Sequence, residues 1–162
     1  AAMWLKTHPR DLRFLSHLGY VARARKYYAS AETRYRAVLA ASPAHALALN
    51  NVAWLMLQQQ KPGALPLAEQ AVRAAPDRPA LRDTLAQALA AEGRLPQAVD
   101  MQKSALALRP DDPHLRLNLA RLYARSNEKK LARTERDRLA LLGSRFGRQA
   151  EVSEALRALR GQ

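Results

Sequence analysis

Leu85-Ala86-Gln87-Ala88-Leu89-Ala90-Ala91-Glu92-Gly93-Arg94-Leu95-Pro96-Gln97-Ala98, running on through Ala105-Leu106 to Pro110, is the stretch whose spacing decides the fold. The same alternation of small and large residues recurs wherever the chain is aligned on Pro9, Pro43, Pro76 and Pro110, which stand 34, 33 and 34 residues apart. The unit before Pro43 carries Leu15, Leu18, Gly19, Ala31, Tyr35 and Val38-Leu39; the unit before Pro76 carries Leu49, Val52, Ala53, Ala64, Ala68 and Ala71-Val72. A fixed period near 34 residues marks stacked helix–turn–helix units, each of which buries its apolar face only against its neighbours.

Each column has a physical reading. Gly19, Ala53, Ala86 and Ala120 form one, and Ala31, Ala64, Ala98 and Ala132 another. Small side chains at both places let the two helices of a unit approach closely, so a bulky residue there would overpack the seam. Leu15, Leu18 and Ala22, like Leu49, Val52 and Met56, fall at i, i+3 and i+7 and predict the buried stripe of each first helix. Asp77-Arg78-Pro79 and Asp112-Pro113 place a capping carboxylate and a proline at helix starts, and Pro66 and Pro96 fall in the first turns of second helices. One residue is missing around Gln60-Lys61-Pro62-Gly63, which reads as a loop deletion that leaves the helices intact.

The order of a large residue, Leu-Gly or Leu-Ala, Tyr, Ala, an aromatic and a closing Pro resembles the tetratricopeptide repeat (TPR). The resemblance implies an all-α, right-handed superhelical solenoid of antiparallel helix pairs ending in a C-terminal capping helix. Its expected units are 12–45, 46–78, 79–112 and a degenerate 113–146, where Ser144 replaces the closing proline. Residues 147–162 are the expected cap, with Val152, Leu156 and Leu159 on its apolar face. Residues 1–9 read as the second half of a preceding repeat, because Trp4-Leu5 fall where Val38-Leu39 fall. The chain therefore reads as a piece of a longer array whose cut edge at Trp4 invites self-association. Arg82 and Arg116 depart from the pattern, since they occupy positions where the repeat wants a large apolar residue.

The net charge of +13 is the compositional outlier. Residues 1–45 hold eight Lys or Arg against two acids, residues 46–108 six against five, and residues 109–162 thirteen against seven. Solvated helix faces written in Arg account for this; the sharper alternative is a polyanion binder, for nucleic acid or acidic polysaccharide, through the Arg-rich terminal regions. No nucleic-acid module or aromatic stacking platform is evident, which counts against nucleic acid. The absence of cysteine removes disulfides, thiolate catalysis and thiolate metal sites.

Resemblance to TPR proteins places the first helix of each unit on the concave face. The expected partner-binding groove then comprises Arg13, Ser16, Tyr20 and Arg23, followed by Asn50, Asn51, Trp54, Leu57 and Gln58. Asp83, Gln87 and Ala90 continue it, then His114, Leu117, Arg121 and Arg125. Tyr, Trp and Arg are the types that dominate hot spots once desolvated, and amides suit a partner's backbone. The expected ligand is a protein or peptide of acidic character. Some TPR domains clamp acidic chaperone termini; here Asn51 fits one such position, but Ser16, Tyr20 and Ala80 stand where Lys or Asn is needed.

Ala48-Leu49-Asn50-Asn51-Val52-Ala53-Trp54-Leu55, with Ala80 to Ala86 and Leu142-Gly143, is similar to the C-terminal part of TPR lipoproteins of bacterial exosortase/PEP-CTERM and exopolysaccharide systems. That resemblance implies a periplasmic or outer-membrane-associated scaffold. His8, His17, His45 and His114 make no i, i+4 pair, no glycine-rich phosphate loop exists, and neighbouring Ser16 and His17 point to different helix faces. The reading is of a non-enzyme without metal or cofactor, a scaffold for protein–protein contact.

Overall fold

The computed structural model describes residues 11–146, together with Ser153 and Arg157. The half-repeat expected over residues 1–9 and the apolar face expected at Val152, Leu156 and Leu159 lie outside the described residues. Eight helices are described, and no strand among the described residues. They are α1 (Leu12–Ala24), α2 (Tyr28–Ala41), α3 (Ala46–Gln58), α4 (Ala64–Ala74), α5 (Pro79–Ala91), α6 (Leu95–Leu108), α7 (Pro113–Arg125) and α8 (Lys129–Phe146). They fall into two compact units that divide between Pro76 and Asp77.

The period is written into the backbone. The helix-closing turns place Lys26, Gln60, Gly93 and Asn127 in the left-handed region, at φ 61°, 54°, 77° and 61°. After each, a backbone N–H reaches back over the last turn: Tyr27 to Ala22, Lys61 to Met56, Arg94 to Leu89 and Glu128 to Tyr123, all at 2.8–2.9 Å. This is the Schellman closure, which satisfies carbonyls that the helix end leaves unpaired. Three of the four residues are not glycine, so the repeat geometry outweighs the cost of that conformation.

Unit 1 packs α1 on α2, α2 on α3 and α3 on α4. Its core comprises Leu15, Tyr35, Val38, Leu49, Val52, Leu55 and Met56 between the small residues Gly19, Ala31, Ala53, Ala64 and Ala68. Gly19 shows why one column is small: a Cβ there would stand 2.8 Å from Cζ of the Tyr35 ring. Tyr35 is 3% exposed, so the ring has nowhere to move. The missing residue costs more than a loop. α4 begins at Ala64 after Gly63 (φ 89°) and has 11 residues, against 14 in both α2 and α6. Pro62 and Gly63 thus shorten the helix, contrary to the expectation of intact helices.

Unit 2 packs α5 on α6, α6 on α7, α7 on α8, and α5 against α7. Leu81, Leu85, Leu89, Val99, Leu115, Leu119, Leu122, Tyr123 and Leu139 fill it around Ala86, Ala98, Ala105 and Ala120. Ala132, in the degenerate repeat, is only half-buried. Asp112 caps α7 as expected, its Oδ1 accepting from the N–H groups of His114 and Leu115. Asp77 does not cap α5; Arg78 occupies the N-cap without a side-chain bond, and Pro79 at the first position supplies the start signal. Two caps carried no expectation: Asp11 accepts from the Phe14 N–H at 3.0 Å, and His45 Nδ1 from the Ala48 N–H at 3.2 Å.

Arg116, which replaces an apolar residue of the repeat, is accommodated by charge. Its Nη1 lies 2.6 Å from Glu135 Oε2, with side chains 11% and 7% exposed, and its Nη2 donates to the Pro110 carbonyl at 2.6 Å. Arg138 donates to the other Glu135 oxygen at 2.8 Å.

Candidate functional site

In unit 1 the stripe Ser16, Tyr20, Arg23 on α1 follows the i, i+4, i+7 spacing that keeps residues on one face. Its partner stripe on α3 is Asn50, Trp54, Gln58, at i, i+4, i+8. The two faces meet through an aromatic–cation cluster. The Arg23 guanidinium stands 5.8 Å from the centroid of the Tyr20 ring and 5.1 Å from that of the Trp54 ring. Tyr28, at the start of α2, abuts Trp54 edge-on, with centroids 6.0 Å apart and planes at 90°. Beneath lies Tyr35: burial pushes its hydroxyl pKa up, the Arg23 charge opposes this, and Tyr20 adds to it. The cluster thus rests on the ring that Gly19 admits.

Tyr20 is 56% exposed, whereas Arg23, Asn50 and Trp54 are half-buried. Arg23 Nε and Asn50 Oδ1 are shielded from solvent and have no hydrogen-bond partner among the described residues. An unanswered buried donor or acceptor costs about 1–3 kcal/mol, a cost that this face carries in the folded chain. The other expected members are less engaged. Arg13 and Gln58 are exposed, Ser16 is half-buried, and Asn51 donates its Nδ2 to the Leu47 carbonyl at 2.7 Å within its own helix.

In unit 2 the expected residues Asp83 and Gln87 belong to a polar network rather than an open surface. Asp83 Oδ1 accepts from Gln102 Nε2 and Asn118 Nδ2, and its Oδ2 from Gln87 Nε2, all at 2.8 Å. Gln102, 0% exposed, also donates to the Leu115 carbonyl at 2.9 Å. Burial raises the Asp83 pKa, and the three amides oppose that without reversing it. Gln102 and Asn118 were not anticipated. Gln102 stands in the column of Tyr35 and Ala68, where a polar residue among apolar ones was the available signal.

Arg125 donates Nη2 to the Ala90 carbonyl at 2.8 Å, closing the end of α5. Arg121 is half-buried, and its shielded Nε has no partner among the described residues. Ala90 and Leu117, expected in the groove, are buried at 1% and 7% exposure. In this unit α5 and α7 are enclosed over a wide arc, so these positions serve the core. His114 is exposed and Leu57 half-buried. No group of three or more His, Cys, Asp or Glu among the described residues is placed to hold a metal ion. No helix of the described residues is long and apolar enough to cross a membrane.

The fold finds counterparts among solved structures. MamA (41-end) from Desulfovibrio magneticus RS-1 superposes with a TM-score of 0.77 at 23% identity, over 88% of this chain and 81% of its own. TTC0263, a thermophilic TPR protein in Thermus thermophilus, gives 0.76 at 21%, over 94% and 84%. YrrB, described as a TPR protein with an unusual peptide-binding site, gives 0.72 at 18%, over 94% and 78%. No curated protein matches the chain by sequence. Residues 89–159 match the family model of the tetratricopeptide repeat. The fold is thus a tetratricopeptide-repeat solenoid, and residues 89–159 carry the similarity to the family model.

Proposed function

We propose that this protein is a non-catalytic protein-interaction scaffold that binds a peptide or partner-protein segment on the first-helix face of unit 1. The observation that carries this is the Tyr20–Arg23–Trp54 cluster: exposed or half-exposed residues of the three hot-spot types, fixed by Tyr28 and Tyr35, beside two unanswered polar atoms. A preorganised aromatic platform loses little side-chain entropy on binding, so more of its contact energy survives as affinity. The TPR fold is compatible with this role, and the peptide-binding site named for YrrB lends it an analogy. Asn50 and Asn51 are assigned to a partner backbone, and Arg121 to a contact of unit 2. The resemblance of Ala48 to Leu55 to envelope lipoproteins supports work in a bacterial envelope or exopolysaccharide assembly.

Affinity capture from the source organism after nuclease treatment tests the reading. The wild-type chain is compared with a Tyr20→Ala/Trp54→Ala variant, each truncation being expected to weaken binding by about 1–2 kcal/mol. Proteins retained by the wild type and lost in the variant are the expected result. Equal retention, with all captured material washing off at moderate salt, would instead favour a polyanion binder held by charge.

A further inference from the structure

We propose that Asp83 and Gln87 form a proton-operated amide switch in unit 2: when Asp83 takes up a proton on Oδ2, the Gln87 carboxamide turns over. Its oxygen then accepts from the new O–H, and its NH2 group is released. The switch lies within α5–α7 and stands apart from the binding face assigned to unit 1.

An ionised carboxylate only accepts, so each amide beside it must present its NH2 group. Oδ1 takes two such donors, Gln102 Nε2 and Asn118 Nδ2, while Oδ2 takes one, Gln87 Nε2. A neutral acid carries an O–H that needs an acceptor, yet every amide atom bonded to the carboxyl is a donor. One amide has to turn. Gln102 is held in place, because its Nε2 also donates to the Leu115 carbonyl, and turning it would set its oxygen against that carbonyl. It is fully buried and keeps this orientation even though its Oε1 has no hydrogen-bond partner among the described residues. Asn118 serves the same oxygen as Gln102, and that oxygen remains an acceptor in the neutral acid.

The proton therefore belongs on Oδ2, the oxygen with a single donor, and Gln87 is the side chain that answers it. Gln87 is half-buried on α5, and no second hydrogen bond among the described residues holds its amide. The terminal torsion of a glutamine is broad and soft, so the turn is cheap. No covalent bond of the chain breaks. A solvent proton adds to Oδ2, and Nε2–H···Oδ2 gives way to Oδ2–H···Oε1.

The surroundings favour uptake. Burial raises the Asp83 pKa, the three amides oppose it, and the negative Asp112 at the start of α7 adds to the rise. Asp112 itself stands 3.6 Å from Arg109, while Arg116 of α7 is paired with Glu135 of α8. On α6, Lys103 lies 3.8 Å from Asp100. Arg82 adjoins Asp83 on α5, and α7 carries the exposed His114 and the half-buried Arg121; none of these is among the groups that shift Asp83. With Asp83 ionised, α5 carries a negative charge and the Gln87 oxygen is free. With Asp83 neutral the charge is gone, and Gln87 offers N–H donors instead.

Nuclear magnetic resonance of the full, isotope-labelled chain between about pH 7 and about pH 3 tests the switch. The Asp83 Cγ shift reports the proton, and couplings across hydrogen bonds report which amide nitrogen donates to that carboxyl. The Gln87 Nε2 coupling should vanish in step with the Cγ titration, while that of Gln102 persists. Asn118→Ala withdraws one donor from the ionised form, so it should move both events to higher pH together. In Asp83→Asn a permanent N–H faces Gln87, whose amide shifts should match those of the acidified wild type at every pH. A Gln87 coupling that outlasts protonation of Asp83, or loss of the Asn118 coupling in its place, would overturn the proposal. So would a Cγ titration that moves in Asn118→Ala without Gln87, or an Asp83 that stays ionised until unit 2 unfolds.

Discussion

The two units bury acids under opposite conditions. In unit 1 Glu32 is surrounded by cations: Arg36 and Lys61 reach its two oxygens, and Gln59 donates to Oε2 at 3.3 Å. Burial is the largest single influence and raises its pKa, but the Lys61, Arg36 and Gln59 donors together outweigh it and hold the carboxyl below its ordinary value. In unit 2 Asp83 has three amides and no cation, and burial prevails. Hydrogen-bond count alone therefore does not decide the state of a buried acid. Charge on the donors and depth of burial decide it together.

Glu135 is the sharpest case of a charge-matched acid, because both it and Arg116 are largely withdrawn from water. Removing one partner of a buried pair strands the other. Glu135→Ala should cost about 3–5 kcal/mol in chemical denaturation of unit 2, whereas Arg116→Met with Glu135→Leu should recover most of that loss or exceed wild type. A double variant as unstable as the single one would show that this pair does more than fill the apolar position of the repeat.

Smaller effects separate Glu32 from Asp83. Arg36 and Lys61 are about half exposed, so screening discounts their pairing, and Glu32→Gln should cost about 1 kcal/mol at neutral pH. Asp83→Asn removes a charge that nothing cationic answers, while Gln87 can turn its amide to suit. Its cost should be within about 1 kcal/mol of zero, with stabilisation allowed. The reverse order in denaturation midpoints would break the comparison.

The smallest expected effect is a difference in sign with pH. The Glu32 contribution is present above the ordinary carboxylate range and is lost as pH falls through its depressed folded value. Asp83 has the opposite linkage: its folded state takes up the proton first, so its burden is present above the raised folded value and is relieved as pH falls. Hydrogen exchange read separately for each unit, with wild type compared against Glu32→Gln and Asp83→Asn, should show stability lost through Glu32 as pH falls below about 4.3 and lost through Asp83 as pH rises above about 3.9, slopes of opposite sign. Parallel slopes would contradict the assignment.

Much of the fold was legible because it depends on local spacing. The columns at Gly19 and Ala31 state directly how closely α1 and α2 approach, and Asp112 announces the start of α7. The first-helix stripe that carries Tyr20, Arg23 and Trp54 also follows from helical spacing joined to the TPR resemblance. What escaped the sequence are contacts set by the register of one helix on another. Asn118 meets Asp83 across 35 positions and Gln102 meets it across 19, and no periodicity links an amide to a carboxylate. Leu117 and Ala90 were misplaced for a related reason, since a helix with neighbours on several sides buries more than one stripe. The approach of Arg23 to two rings needed rotamers that spacing does not specify.

The most direct test of the account places a photo-crosslinking benzoylphenylalanine at position 20, on the α1 face, or at position 37, exposed on α2, in the source organism. A binding surface on the first helices of unit 1 should give protein adducts from position 20 and none above background from position 37. Adducts from position 37 with none from position 20 would contradict it, and would move the binding surface to the second helices.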